Sequence, residues 1–261
     1  MSRREIRDLR TIITGASSGI GRQIALELAR QGARLVVTAR RADRLKTLAE
    51  EIAAAGGRVE TVAGDVSDPD VRRQTIDAAQ SAYGGLDMLV NNAGIGAMGL
   101  FDSGQPETVR RVMEVNFFAL GEMTRLALPL LKQGRRPIVV NVGSILGHRG
   151  VPHNSEYAAS KFAVQGFSQS IRAEFHRLGI DVLVVSPGTT ETEFFDRAIA
   201  SNSRPAWPEH KPVPASAVAR ATVRAIRRGD HEIVPNFLGK VVCLLERLAP
   251  RLVDRLITRY V

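Results

Sequence analysis

Thr14-Gly15-Ala16-Ser17-Ser18-Gly19-Ile20-Gly21 stands between the short apolar run Ile12-Ile13 and a stretch in which Ile24, Ala25, Leu28 and Ala29 recur at helical spacing. A strand that turns through glycines directly into a helix is the opening of a βαβ unit, and it restricts the chain to layouts built on that unit. Gly15 permits a tight exit from the strand, while Gly19 and Gly21 let the backbone come close to a ligand and the helix close to the sheet. The unpaired N–H groups at the helix start attract a pyrophosphate. Ser17, Ser18 and Ile20, interleaved with the glycines, are expected at the same group. The spacing is Gly-x-x-x-Gly-x-Gly, so the general G-x-G-x-x-G fingerprint is not matched.

Strand-like apolar runs at about 11–14, 34–39, 58–63, 87–91, 137–142, 180–185 and 232–234 alternate with stretches of helical period. That alternation predicts an α/β fold with a doubly wound parallel sheet of about seven strands. At 261 residues and 44% hydrophobic content the chain can bury its core as one domain. We place this domain at residues 1–235, with a lid at about 189–214 that carries Phe194, Phe195, Trp207 and four prolines between 205 and 214. Residues 236–261 form a helical extension packed on it.

In Tyr157-Ala158-Ala159-Ser160-Lys161 a helix would put a phenol and an ammonium on one face, with roughly 5–6 Å between their Cβ atoms. A cation about 4 Å from a phenolate contributes roughly 4 kcal/mol at an effective dielectric of 20, or about three pKa units. Lys161 is therefore expected to bring Tyr157 toward neutrality as an acid/base group. Taken alone, the pair also reads as a solvated lysine beside a half-buried tyrosine. A rival chemistry sits in Gly15-Ala16-Ser17-Ser18-Gly19, which satisfies the G-x-S-x-G nucleophile elbow and would make Ser17 the nucleophile of a hydrolase. That reading puts the elbow on the first strand and leaves Tyr157 and Lys161 without a task.

With the glycine loop and the Tyr/Lys pair in hand, the chain resembles the short-chain dehydrogenase/reductase family, whose motifs recur in order from residue 14 to about 192. Gly64-Asp65-Val66 resembles the family's adenine contact, and Asn91-Asn92-Ala93-Gly94 follows the fourth strand. Asn116 in Glu114-Val115-Asn116, Ser144 in Val142-Gly143-Ser144, Tyr157 and Lys161 fill the four catalytic positions. Pro187-Gly188-Thr189-Thr190-Glu191-Thr192 closes the set. The resemblance, with right-handed crossovers, implies a Rossmann-type sheet in the order 3-2-1-4-5-6-7. It also implies that Asp65, Val66, Asn92, Ala93, Gly94, Pro187, Gly188, Thr190 and Thr192 join Tyr157 and Lys161 in holding a dinucleotide. In the mechanism it implies, hydride passes between nicotinamide and a carbon bearing oxygen. Tyr157 moves the proton and Ser144 holds the oxygen. Lys161 binds ribose hydroxyls and lowers the phenol pKa, and Asn116 keeps a relay water. A non-catalytic dinucleotide sensor is a further reading, opposed by the intact catalytic set.

The second strand ends Thr38-Ala39-Arg40-Arg41 with no carboxylate where an NAD enzyme needs one for the ribose 2′-OH. A guanidinium there matches a 2′-phosphate, so NADP is the expected cofactor, with Arg40 as first choice and Arg41 as second. Ala97, Met98 and the lid aromatics would give an apolar pocket for a moderately hydrophobic ketone or secondary alcohol. His148 and His153 flank the path from Ser144 to Tyr157.

The formal net charge is +9, yet the basic residues are scattered and no aromatic stripe accompanies them, so no nucleic-acid partner is expected. The single cysteine, Cys243, excludes an intrachain disulfide, and the five scattered histidines offer no metal site. The N-terminus shows no apolar run suited to a signal or span, giving a cytoplasmic expectation. Beyond residue 235, Phe237, Leu238, Val241, Val242, Leu245 and Leu248 recur at helical spacing, and Pro250 starts a second helix with Leu252, Val253, Leu256, Ile257 and Tyr260. Arg247, Arg251, Arg255 and Arg259 fall four apart. These helices are expected to cover the core or a partner subunit, with a membrane surface as the alternative. The resemblance adds a homodimer or homotetramer through the helices bearing Asn116 and Tyr157.

Overall fold

The computed structural model describes residues 4–194, 197–199 and 211–258. Its main sheet holds β1 (Arg10–Thr14), β2 (Arg34–Ala39), β3 (Arg58–Ala63), β4 (Met88–Asn91), β5 (Ile138–Val142), β6 (Asp181–Val185) and β9 (Glu232–Ile233). All pairings are parallel, in the order β3-β2-β1-β4-β5-β6-β9, which is the expected order with β9 as the seventh strand. A separate two-residue ladder joins β7 (Thr190–Glu191) to β8 (Val213–Pro214) and ties together the two ends of the expected lid. Phe195, Trp207 and the prolines at 205 and 208 lie outside the described residues.

The central strands are buried on both faces, which is why they read as unbroken apolar runs. Side chains alternate across the sheet: Ile13, Leu35, Val37, Val140 and Leu183 pack toward α1 (Gly19–Arg30), α2 (Ala42–Ala54) and α7 (Ala215–Arg228). Ile12, Val36, Val139 and Val182 pack on the other side toward α3 (Pro69–Tyr83), α5 (Ala119–Leu131) and α6 (Ser155–His176). Helix starts follow capping chemistry where it is available. Asp68 accepts the Asp70 N–H at 2.8 Å ahead of Pro69, and Gly84 ends α3 in the left-handed region at φ 71°.

Two features position the site. Between α4 (Pro106–Met113) and α5 the chain makes a π turn over Glu114–Phe118, a stretch whose residue pattern reads only as helical; Asn116 sits in this turn. At the end of the described chain come α8 (Phe237–Leu248) and α9 (Pro250–Ile257), the two helices expected there. Arg149, in the segment after β5, binds Glu246 of α8 at 3.2 Å and Asp254 of α9 at 2.6 Å. Val253 and Ile257 are buried, while Phe237, Leu244, Leu248 and Leu252 remain exposed. Arg247, Arg251 and Arg255 are exposed as well; Arg259 and Tyr260 fall outside the described residues. Among the described residues no helix is long and apolar enough to cross a membrane.

Candidate active site

Parallel strands place all their C-terminal ends on one rim, and the loops leaving that rim surround a cavity of about 1150 Å³. At one end lies the glycine loop. Gly15 adopts φ +67°, a left-handed conformation, and a Cβ there would lie 2.7 Å from Ala93 Cα. A Cβ on Gly21 would lie 2.3 Å from Asn92 Nδ2. The close approach has a bonding reason: Asn92 Nδ2 donates to the carbonyls of Thr14 and Gly15, both at 3.0 Å, and Thr14 Oγ1 accepts the N–H groups of Asn92 and Ala93. Asn92 thus braces the loop against β4. Helix α1 starts at Gly19 with no acidic residue in its first turn, so its positive end is not neutralised by its own side chains.

The two arginines at the end of β2 make different contacts. Arg41, the second choice, is the arginine tied into the loop: its Nε and Nη2 donate to Ser17 Oγ at 3.2 and 3.1 Å, and Nη2 donates to Ser18 Oγ at 2.6 Å. Arg40 lines the cavity but is exposed. Adjacent residues leaving a strand face opposite ways, so only one of the pair can turn toward the loop. Ser17 is thereby bonded to a cation, and among the described residues no base is hydrogen-bonded to it, so the site gives the hydrolase reading no support. Asp65 accepts from Ser67 N–H and Oγ at 2.9 and 2.7 Å and from Arg111 Nη2 at 2.6 Å. Burial alone would raise its carboxyl, but these donors outweigh it and hold the group below its ordinary value. Asp65 and Val66 both line the cavity.

At the opposite end the four expected catalytic side chains are all buried: Asn116, Ser144, Tyr157 and Lys161. Ser144 Oγ accepts the Leu146 N–H at 3.1 Å, capping the short turn Ile145–Gly147, and its hydroxyl lies near enough to the Tyr157 phenol to pull the phenol's value down. Lys161 Nζ donates to the Val142 carbonyl at 2.9 Å and lies 5.6 Å from the centre of the Tyr157 ring. Asn116 Oδ1 accepts the Ile95 N–H at 2.8 Å, and its Nδ2 donates to Ile95 O and Ser160 Oγ at 3.0 and 2.9 Å. The amide of Asn116 is fully engaged by protein.

The electrostatics of the pair run against the sequence expectation. Burial pushes the Tyr157 phenol up to about 12, with the Ser144 hydrogen bond pulling the other way, and burial brings the Lys161 ammonium down to about 8. The expected lowering of the phenol by Lys161 is not found: desolvation is the largest cause for both groups, and Lys161 is not among the causes acting on the phenol.

The segment after β6 closes the site from above. Ile145 N–H donates to Pro187 O, Thr190 Oγ1 donates to Gly188 O, and Thr192 lies against the start of α1, where a Cβ on Gly19 would be 3.0 Å from its Cγ2. Phe194 sets its ring 5.5 Å from that of Tyr157. Met98, Leu146, Phe194, Leu238, Val242 and Leu245 are part of the cavity's apolar lining, three of them from α8. His148 is turned away, with Nε2 at 2.8 Å from Glu232 Oε1 and 3.2 Å from Ser186 Oγ. His153 adopts φ 63° and accepts the Gly99 N–H on its carbonyl. Sequence reading missed Arg44 and Glu193, which meet above the glycine loop, and missed that α8 and α9 wall the cavity. The only available signal for the latter was an apolar helical face.

The cradle suits a dinucleotide. Its glycines leave no room for side chains, and a cation is bonded to the loop hydroxyls.

Comparison with known proteins gives the same answer. The family described as short chain dehydrogenase matches residues 10–202. Dehydrogenase/reductase SDR family member 7B of Bos taurus is 36% identical over 203 residues, which cover 76% of this chain and 62% of that protein. The chain thus spans less than two thirds of that relative's length. A short chain dehydrogenase/reductase of Burkholderia phymatum, solved in complex with NAD, superposes with a TM-score of 0.87 at 25% identity over 95% of this chain and 96% of that one. A short chain dehydrogenase of Burkholderia cenocepacia J2315, in complex with NADP, gives 0.79 at 29% identity over 88% and 97%. Motif order, strand order and these likenesses agree, and the chain belongs to the short-chain dehydrogenase/reductase family of oxidoreductases.

Proposed function

We propose that this protein interconverts a moderately hydrophobic ketone and its secondary alcohol with NADP(H), Tyr157 serving as the proton donor and acceptor. The observation that carries the reading is one cavity with two unlike ends: an arginine-bound glycine cradle at one, and a buried phenol within an apolar wall at the other. When bound, the nicotinamide supplies or takes the hydride. In reduction the Tyr157 phenol gives its proton to the carbonyl oxygen as C–H bond formation turns that oxygen into an alkoxide; in oxidation the same group takes the proton back. Ser144, whose hydroxyl lies close to the phenol, would hold the reacting oxygen beside it. Lys161 would hold ribose hydroxyls and return the phenol's proton. Asn116, its amide bonded to Ile95 and Ser160, would keep a water that relays protons from Lys161 to solvent.

NADP is favoured over NAD because the cavity edge at β2 presents Arg40 and Arg41 and no carboxylate from that strand end. Gly15, Ser17, Ser18, Gly19, Ile20, Gly21, Asp65, Val66, Asn92, Ala93, Gly94, Pro187, Gly188, Thr190 and Thr192 line the cavity or brace its wall, consistent with a dinucleotide lying along the rim. We read the protein as a cytoplasmic homo-oligomer. Exposed Phe118, Leu126 and Phe162, on the π turn, α5 and α6, support contact with a second copy through those elements. The test is a panel of ketones and secondary alcohols followed by nicotinamide absorbance with both cofactors. Turnover of an apolar ketone with NADPH well above NADH is expected; no turnover across the panel would favour the sensor reading.

A further inference from the structure

Above the glycine loop one carboxylate gathers three guanidinium groups. Glu193 Oε2 accepts from Arg41 Nη1 at 2.9 Å and pairs with Arg197 Nε at 3.2 Å, and Glu193 Oε1 accepts from Arg44 Nη1 at 2.5 Å. Arg41 also donates from Nε and Nη2 to the hydroxyls of Ser17 and Ser18. Two arginines at the start of α2, one of them also bonded to two serine hydroxyls, therefore converge on a single anion at the end of β2, and that anion comes from the segment that closes the site. The next residue, Phe194, is the one whose ring lies against Tyr157.

We infer that Glu193 is an internal stand-in for the 2′-phosphate of NADP(H), and that Arg44 joins Arg41 as the second cation of that phosphate site. This rests on the NADP reading above. A carboxylate offers two acceptor oxygens and one negative charge; a phosphate monoester offers three oxygens and up to two charges, and so binds the same guanidinium pair more strongly. Arrival of the 2′-phosphate displaces Glu193 from Arg41 and Arg44. Because Glu193 and Phe194 are consecutive, the displacement loosens the segment that holds Phe194 over the phenol. The cofactor's adenosine end is thereby linked to access at its nicotinamide end. A dinucleotide without the 2′-phosphate leaves the three pairs intact.

The experiment compares binding of 2′,5′-ADP and 5′-AMP, which differ by that phosphate alone, to the full chain and to its E193Q and R44Q variants by titration calorimetry. Hydrogen exchange over residues 190–194 is followed in parallel. Wild type is expected to prefer 2′,5′-ADP. E193Q should tighten 2′,5′-ADP by roughly threefold to tenfold and R44Q should weaken it by about tenfold, the scale of one charge-assisted contact. Affinity for 5′-AMP should stay constant, which also shows that each variant is folded. Exchange over 190–194 should rise when wild type binds 2′,5′-ADP and should already be raised in E193Q. A wild-type preference that E193Q leaves unchanged or weakens overturns the stand-in while sparing the NADP reading. Exchange that falls on 2′,5′-ADP binding also overturns it, since Glu193 would then be a strap that tightens over the ligand. Equal affinities for the two nucleotides in wild type remove the NADP reading and this inference with it.

Discussion

At the β2 end of the cavity, Arg41, Glu193 and Arg44 have side chains 24%, 38% and 40% exposed; at the other end Tyr157 and Lys161 are 6% and 4% exposed. The two ends use opposite electrostatic terms. In the first, charges stay charged, water screens them, and their pairs exchange at little cost, which suits a site where one anion must give way to another. In the second, burial dominates: it raises the phenol and lowers the ammonium, so both groups are held toward their neutral forms. A neutral phenol beside a hydroxyl is ready to donate a proton, and a lysine with its value near 8 is ready to replace it.

The sharpest way to break this contrast is at the buried end. Ser144→Ala removes the hydroxyl that meets the phenol and should lower kcat by about 10²–10³-fold, the usual loss for one positioned donor, with cofactor affinity unchanged. A loss confined to cofactor affinity would move Ser144 out of the chemistry.

Next in size is the brace beneath the loop. Gly21→Ala puts a methyl group where Asn92 Nδ2 and the Gly15 carbonyl already sit, and should cost about 1–3 kcal/mol in urea unfolding along with weakened nucleotide binding. An unchanged midpoint would show that the loop can move aside.

A third prediction separates the ends by pH. Lys161 has a folded value near 8 against an ordinary 10.5, so between these limits the unfolded chain binds more protons and stability must rise with pH. Tyr157 has the opposite sign: its value climbs from 10 to about 12, the folded state keeps its proton longer, and stability falls over that interval. Wild type should therefore gain stability relative to Lys161→Met as pH rises from 8 toward 10.5, measured by urea midpoints of the two proteins; parallel profiles would refute burial as the governing term.

The smallest effect belongs to the exposed end. Arg197→Gln, which loses one of the three guanidinium partners described for Glu193, should leave the urea unfolding midpoint nearly unmoved. A larger loss would make the arginine cluster structural.

Much of this was legible in the chain because it is carried by short-range pattern. Strands buried on both faces leave apolar runs, as β2 does, while β3 lies more exposed at the sheet's edge; both fall at the expected bounds. The residues near Tyr157 were legible through motif order, since the rim collects the strand ends whatever the intervening sequence. What stayed hidden depends on three-dimensional packing. The choice of Arg41 over Arg40 turns on one residue of phase at the strand end. Glu193 meets Arg44 across 149 positions, a separation no local pattern reports. The π turn at Asn116 adds a residue to a helix without altering its composition. The direction of the Tyr157 shift required knowing that both partners are dry; a spacing argument set the cation at contact distance and left out the desolvation that prevails.

Single-turnover reduction of a responsive ketone, with Tyr157→Phe compared against wild type at saturating NADPH, bears most directly on the claim that a buried phenol moves the proton. The account predicts a fall in rate of about 10²–10⁴-fold, the range for loss of a general acid, with NADPH binding preserved. A Phe variant that transfers hydride within a few-fold of the wild-type rate would contradict it.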